Sequence, residues 1–410
     1  MTTHDSAQYR RLGKALLASA AVLAGSSEAA LNSNQRAMAS LLVSTCTPPP
    51  PQNEQPFTPP AYCGQLSQLT PGSAAYESIV RQMTPDQILT IGSMGTRTNG
   101  GQTSVIKQVL GDRTRSWRLG NPAGGGAGDD LMAPLGLWFK ADTDFGGLDS
   151  SFAFNGFRYN NFGLTVGADY RITDRWVSGM AFNYHRSNAR LDASRGDTDS
   201  DSYTGNIYTS YYITDGLHVE ATGAYSGFDY QTFRNVRAPV VGNRMTGNPG
   251  AGQYAFSVGG GYDFNYQSFI FAPYARTDYL ALDVDSFREG GGPAAMQFEQ
   301  QHIRSLTSTV GALISKAVSL PWGVVTPQLR GEWHHQFMDA GRTVRAAFVS
   351  DPSAQVAIVG SSPDRDFYTL GADLSGTFAH GISAFLSYQT LLGSRAIESH
   401  KVMLGTRLEF

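Results

Sequence analysis

The sequence predicts an all-β membrane protein: a 12-stranded antiparallel transmembrane β-barrel with a lumenal helix and a short helical N-terminal region. Three observations predict it. From residue 133 to the end the side chains alternate with a period of two, one face greasy and the other polar. The connections between the alternating segments are very short and long by turns. No run of eighteen apolar residues follows the N-terminal region, which excludes helical spans but not barrel strands, whose hydropathy per segment is weak.

Composition bounds the answer without deciding it. A chain of 410 residues, 46 of them Gly, holds a large core or a barrel plus an appendage. Its net charge of -3 and pI near 6.2 give no electrostatic footprint for nucleic acid. A mean hydropathy of -0.24 resembles that of soluble proteins, so periodicity has to decide the class.

Residues 1–30 have the layout of a secretory signal. Arg10, Arg11 and Lys14 precede the apolar run Ala15 to Ala24, and the small residues Ser27 and Ala29 follow at cleavage spacing. An Ala-rich helical turn is the alternative. Residues 31–101 read as short helices around a Pro-rich loop, Pro48 to Pro60. Asn34 to Leu42 is amphipathic. Ser73 caps a helix with Tyr76, Ile79, Val80 and Met83 on one side. Thr84, Pro85 and Gln87 spell a capping box that starts another helix through Ile88 and Ile91. Cys46 and Cys63 bracket the Pro-rich loop; in an oxidising compartment they close a disulfide worth roughly 3 kcal/mol, against the alternative of two free thiols. Residues 102–132 hold a third helix, Gln102 to Arg118, and a Gly-rich linker, Asn121 to Asp130.

The barrel region is residues 133–410. In Val324 to Phe337 the positions Val325, Pro327, Leu329, Gly331, Trp333, His335 and Phe337 alternate with Thr326, Gln328, Arg330, Glu332, His334 and Gln336, and every residue of the second set is polar. Twelve such segments begin near Ala133, Gly156, Trp176, Ser202, Leu217, Gln253, Phe269, Leu306, Val324, Phe367, Ile382 and Ser399. Connections after even strands are short: Thr173 and Asp174, Thr214 to Gly216, Tyr266 to Ser268, Leu320 to Gly323, His380 and Gly381. Those after odd strands are long and polar, as in Asn188 to Asp201, Gln231 to Gly252 and Asp339 to Asp366. Short turns at one end and long loops at the other suit a barrel in a bilayer rather than a sandwich, and closure removes edges that lipid cannot hydrogen-bond. In the last strand Val402, Leu404, Thr406, Leu408 and Phe410 form the lipid face, while Lys401, Met403, Gly405, Arg407 and Glu409 face the lumen.

Phe157 to Leu191, with Gly163-Leu164-Thr165-Val166-Gly167-Ala168-Asp169-Tyr170-Arg171, resembles the second and third strands of the autotransporter β-domain of type V secretion. Pro273-Tyr274-Ala275-Arg276, Asp285-Ser286-Phe287-Arg288-Glu289-Gly290-Gly291 and the terminal Gly405-Thr406-Arg407-Leu408-Glu409-Phe410 resemble it too. The resemblance implies a pore in the outer membrane of a Gram-negative bacterium, moving or anchoring an N-terminal passenger at the cell surface. It also implies the Sec export pathway, the barrel-assembly machinery reading Phe410 as an assembly signal, and a monomer in outer-membrane lipid. A helix just before the first strand threads the lumen in such proteins; here that is Gln102 to Arg118. Some members cut themselves at an Asn-Asn pair in it. Alignment on Gly111-Asp112 puts Ser104-Val105 there, so no such cleavage is expected. Members usually carry a long passenger, and the short region before this barrel makes the chain either passenger-poor or a gene fragment.

No catalytic, cofactor or metal site is expected. Asp197, Asp199 and Asp201 alternate as in a calcium loop, but position twelve of such a loop is Tyr208 and position six Ser202. His334 and His335 point to opposite faces of a strand and cannot share a metal. No Gly-x-Ser-x-Gly elbow occurs, and the chain is not expected to be an enzyme. The lumenal Asp169, Arg171, Arg276, Asp278, Arg330, Glu332 and Arg407 form either a solvated mixed-charge wall or a cradle for Lys107, Asp112, Arg113 and Arg115 of the lumenal helix. The alternative function is an outer-membrane channel or surface adhesin whose N-terminal helices sit in the periplasm.

Overall fold

The computed structural model describes residues 31–47, 59–96, 135–150, 155–192, 195–237, 243–338, 342–360, 362, 364–394 and 397–409. Twelve antiparallel strands form its wall: β1 (Leu135–Leu148), β2 (Phe157–Thr173), β3 (Trp176–Leu191), β4 (Gly196–Tyr212), β5 (Leu217–Val236), β6 (Gly250–Tyr262), β7 (Phe269–Val284), β8 (Gln301–Lys316), β9 (Gly323–Gln336), β10 (Asp366–Phe378), β11 (Ile382–Leu392) and β12 (Ile397–Glu409). Each pairs with its sequence neighbours, and β12 returns to β1 in a ladder from Gly136↔Glu409 to Leu148↔Ile397. Closure leaves no barrel strand with an open edge, the condition for a sheet in lipid.

Alternation is inverted relative to a soluble protein. Met180 and Ile207, facing out, are each 67% exposed, whereas Lys140 and Asn183, facing the lumen, are 0% exposed. Leu404 and Leu408 of β12 face out while Met403 and Arg407 face in, as the alternation requires. Aromatic rings mark both rims of the apolar belt: Tyr184 against Tyr203 and Tyr225 against Tyr254 at one, with Trp176, Tyr211, Tyr262 and Tyr266 at the other. Turns at the second rim are tight. His380 and Gly381 both have positive φ, 64° and 69°, as a two-residue hairpin turn demands, and a side chain at Gly381 would strike the Glu409 carbonyl.

The other end differs from expectation. β4 has 17 residues and β5 has 20, where a tilted span takes about 9–11. The surplus rises beyond the membrane as continued wall. Asn188 to Asp201 and Gln231 to Gly252, expected as loops, are therefore mostly strand: β3 runs to Leu191 and β4 starts at Gly196. Above the lipid the outer face of the wall is wet, so the greasy-polar contrast that reveals a strand fades. Asp197, Asp199 and Asp201 lie on this strand, not in a loop, beside Arg244, Asn188 and Tyr184 respectively. The segment expected as a loop from Asp339 to Asp366 contains the hairpin Thr343–Phe348 and Asp351–Val359, which joins Phe287–Arg288 and Met296–Phe298 in a second, four-stranded sheet. A bridge between Thr246 and Gly290 ties this surface sheet to the barrel.

Among the described residues, three helices precede the barrel, α1 (Ser33–Cys46), α2 (Ala61–Leu66) and α3 (Ala74–Met83), and residues 88–96 are helical as well. Asn32 and Gln35 form a capping box at α1, and the Ser73 hydroxyl accepts from the Tyr76 N–H at α3. The box expected at Thr84 and Gln87 is not formed. The Thr84 hydroxyl donates back to the Val80 carbonyl at 2.8 Å and the Gln87 amide reaches Glu289 at 3.0 Å, so tertiary partners have taken the capping groups. Cys46 and Cys63 form a disulfide between α1 and α2. Residues 1–30, the segment Gln102 to Arg118, the linker Asn121 to Asp130, Ser104-Val105 and Phe410 lie outside the described residues.

Candidate functional site

Inside the belt, charged side chains from neighbouring and next-but-one strands pair along the wall. Arg407 of β12 donates to Asp169 of β2 across β1, at 2.6 Å, and to Glu409 at 2.9 Å. Arg276 of β7 donates to Glu332 of β9 at 2.6 Å and to Asp278 at 2.9 Å; the Tyr274 and Thr369 hydroxyls also donate to Glu332, at 2.7 and 2.8 Å. Arg330 reaches Gln389 at 3.4 Å, and Lys401 lies 3.4 Å from Asp142. Arg171 sits on the same face near the turn-bearing rim. Such pairing offsets the desolvation of charges that are 2–6% exposed at Asp169, Glu332 and Arg407. Lys107, Asp112, Arg113 and Arg115, expected to meet this wall, lie outside the described residues.

Lys140 is a separate case that sequence reading did not single out. Its ammonium is fully buried, hydrogen-bonds to no protein atom, and stands 5.6 Å from the Phe385 ring centroid. Among the described residues no group of three or more His, Cys, Asp or Glu side chains could hold a metal.

The mouth beyond the membrane is occupied by the N-terminal helices. Twelve strands about 4.8 Å apart and tilted about 40° enclose a cylinder roughly 24 Å across, and a helix is about 10–12 Å thick, so a few helices fill it. Met38, Leu42, Tyr62, Val80, Met83, Ile88 and Ile91, each at most 2% exposed, share one core with Leu148, Tyr159, Leu191, Phe228, Leu282 and Ile303 of the wall and with Phe348 and Ile358 of the surface sheet. That core reaches most of the way round the barrel. Burying a side chain of this size is worth about 1.5–3 kcal/mol, so the helices are integral to the mouth.

Polar ties fix their orientation. Arg234 of β5, 1% exposed, donates to Glu289 at 2.5 Å, to the Met83 carbonyl at 3.0 Å and to the Ala294 carbonyl at 2.8 Å. Glu289 also accepts from the Gln87 amide and the Met296 N–H, each at 3.0 Å. The Thr90 hydroxyl meets that of Thr198 at 2.9 Å, and the Tyr230 hydroxyl donates to the Ile91 carbonyl at 3.4 Å. The Asn34 amide accepts from the Val359 N–H at 2.8 Å and donates to its carbonyl at 2.9 Å, pairing as another strand would. Asp86 accepts from Asn155 and from Asn34, and burial pushes its carboxyl up to about 6. None of these ties was foreseen. Arg234 falls in the segment expected as a loop; its inward alternation with Tyr230, Thr232 and Val236 was the available signal.

The autotransporter β-domain family model matches residues 137–389. The chain belongs to the autotransporter β-domain family. It is accordingly an outer-membrane protein of a Gram-negative bacterium, with a barrel of the translocator type. Solved autotransporters share the fold: the translocator domain of NalP from Neisseria meningitidis at 14% identity, covering 76% of this chain and 98% of that one with a TM-score of 0.57, and the transport unit of AIDA-I from Escherichia coli at 15%, covering 73% and 98% with a TM-score of 0.52. Among curated relatives, esterase EstA of Pseudomonas aeruginosa is 29% identical over 275 residues, 65% of this chain and 41% of EstA. The chain thus spans about two fifths of that relative's length.

Proposed function

We propose that this barrel carries its own N-terminal region across the outer membrane and anchors it at the cell surface, the cargo within this chain being residues 31–96. The supporting observation is the separation of two chain points. The helices sit among the long strand ends, whereas Leu135 opens β1 at the opposite rim, one residue before the partner of Glu409, where β12 ends. Residues 97–134 have to join those ends, and lipid offers backbone groups no partners, at several kcal/mol each. On this reading the connection would run through the lumen, where Lys107, Asp112, Arg113 and Arg115 would face the wall of Asp169, Arg171, Arg276, Asp278, Arg330, Glu332 and Arg407. Sec export and insertion by the barrel-assembly machinery belong to this reading. So does a non-enzymatic role: the family model matches barrel, and the esterase activity in EstA's name is not carried over. A plain channel with periplasmic helices would need the helices at the other rim.

Labelling tests it. Ala75, exposed on α3, is changed in Ala75→Cys and intact cells are treated with a membrane-impermeant maleimide. Labelling of intact cells is expected. Labelling only after the outer membrane is permeabilised would place the helices in the periplasm and refute surface anchoring.

A further inference from the structure

A passenger that merely hangs from a pore has no reason to match its wall, and this one does. Residues 88–96 press against β7, β8 and the surface hairpin through Gly92 and Gly95, one turn apart. A β-carbon at Gly95 would come within 2.6 Å of Leu282 and 3.2 Å of the Tyr230 hydroxyl. One at Gly92 would come within 2.6 Å of Ile303 and would overlap Arg342. Two helix positions are thus cut back to the backbone where the wall stands closest. On the far side Thr90 pairs with Thr198 of β4, so the same short helix is held from opposite flanks. Arg234 and Glu289 close over the junction between α3 and this helix, through the Met83 carbonyl and the Gln87 amide.

We propose that the described N-terminal helical residues, 31–47 and 59–96, are a stopper that closes the pore at its surface end, with Arg234 and Glu289 as the clasp that keeps it seated. The closure is a lid in shape and position: apolar seating around most of the wall, a helix trimmed to fit, and a buried ion pair at the point where the helices turn. A buried clasp of this kind is a poor source of net stability but a strong determinant of geometry, since displacing one member leaves the other charged and dry. This inference goes beyond surface anchoring, because it concerns where the pore is sealed and not how the helices arrived.

The test is ion conductance of the full chain in a planar bilayer, with heat-modifiable gel migration confirming that each variant retains a folded barrel. The parent is expected to stay closed. Gly95→Leu, which cannot seat, and Arg234→Met, which opens the clasp, are each expected to raise conductance several-fold. Adding Thr90→Cys and Thr198→Cys to the Arg234→Met protein and oxidising the pair is expected to return it to the parent level, and reduction to reopen it, beyond any change that the same reductant causes without the added cysteines. Folded barrels of Gly95→Leu and Arg234→Met that conduct as the parent does, while protease reaches residues 31–96, would show that the seal lies elsewhere and overturn the stopper. Surface labelling at Ala75→Cys would stand or fall separately.

Discussion

Arg234→Met is the most informative stability perturbation. Four of the five guanidinium N–H groups are used: two hydrogen bonds to Glu289, at 2.5 and 3.3 Å, and one to each of the Met83 and Ala294 carbonyls. Met replaces the aliphatic stem, so the loss is electrostatic. Glu289, whose side chain is 1% exposed, would keep its donors Gln87 and Met296 but lose its cation. Breaking a buried pair in this way costs about 3–5 kcal/mol, and the two surviving donors put the expectation at the low end, roughly 3 kcal/mol. Protease cleavage within residues 31–96 of the folded protein in detergent micelles reads this as faster digestion, by about two orders of magnitude where opening precedes cutting. The double variant Arg234→Met, Glu289→Leu removes the stranded charge and should recover most of the protection. A change below about threefold, roughly 0.65 kcal/mol, in the single variant would refute the assignment of Arg234 as a buried clasp.

Other perturbations separate the helices from the barrel. Asp86 is buried and held at about 6 against 3.8 in the open chain, with Asn155, Asn34 and Arg195 offsetting only part of the burial. The folded form binds the extra proton between these values, so stability of the helical unit should fall as pH rises from about 4 to 6, by at most roughly 3 kcal/mol, and then level off; hydrogen exchange of residues 74–96, corrected for intrinsic rates, should show this in the parent and a flatter profile in Asp86→Asn, and a flat parent profile would contradict it. Replacing Cys46 and Cys63 by Ala opens a link across 17 positions and should lower stability of the same unit by roughly 3 kcal/mol without altering the heat-modifiable shift of the barrel on a gel. Deleting Phe410 should reduce the amount inserted in cells, while the refolded protein melts close to the parent, since one Phe is worth roughly 2 to 3 kcal/mol; equal insertion would deny the residue a targeting role.

The belt was legible because two solvents write the pattern there. Lipid on one side and polar lumen on the other force Leu329, Trp333 and Phe337 to alternate with Gln328, Glu332 and Gln336, and the tight turns at Thr173 and at His380-Gly381 follow from geometry at the rim. Above the membrane that contrast vanishes, which is why Gly196 to Asp201 of β4 read as loop although it is strand. The helices were individually visible, as the Ser73 cap shows. Their seat was not, because it depends on contacts such as Gly95 with Leu282 that no local period encodes. Charges were assignable to a face, as Arg407 and Asp169 were, but the distance between them is a matter of register across an intervening strand.

The surface sheet has one more consequence. A flat sheet displayed on a crowded cell exterior is ordinarily a template, since unpaired rungs at either margin invite a stranger's backbone. Here one margin is joined to the barrel through Thr246 and Gly290, and the other, Asp351–Val359, has α1 lying along it, with the side-chain amide of Asn34 occupying the last rung at Val359. Replacement of Asn34 would therefore do more than loosen a helix. It would uncover a free N–H and carbonyl facing neighbouring cells and secreted peptides, turning a sealed ornament of the cell surface into an adhesive one.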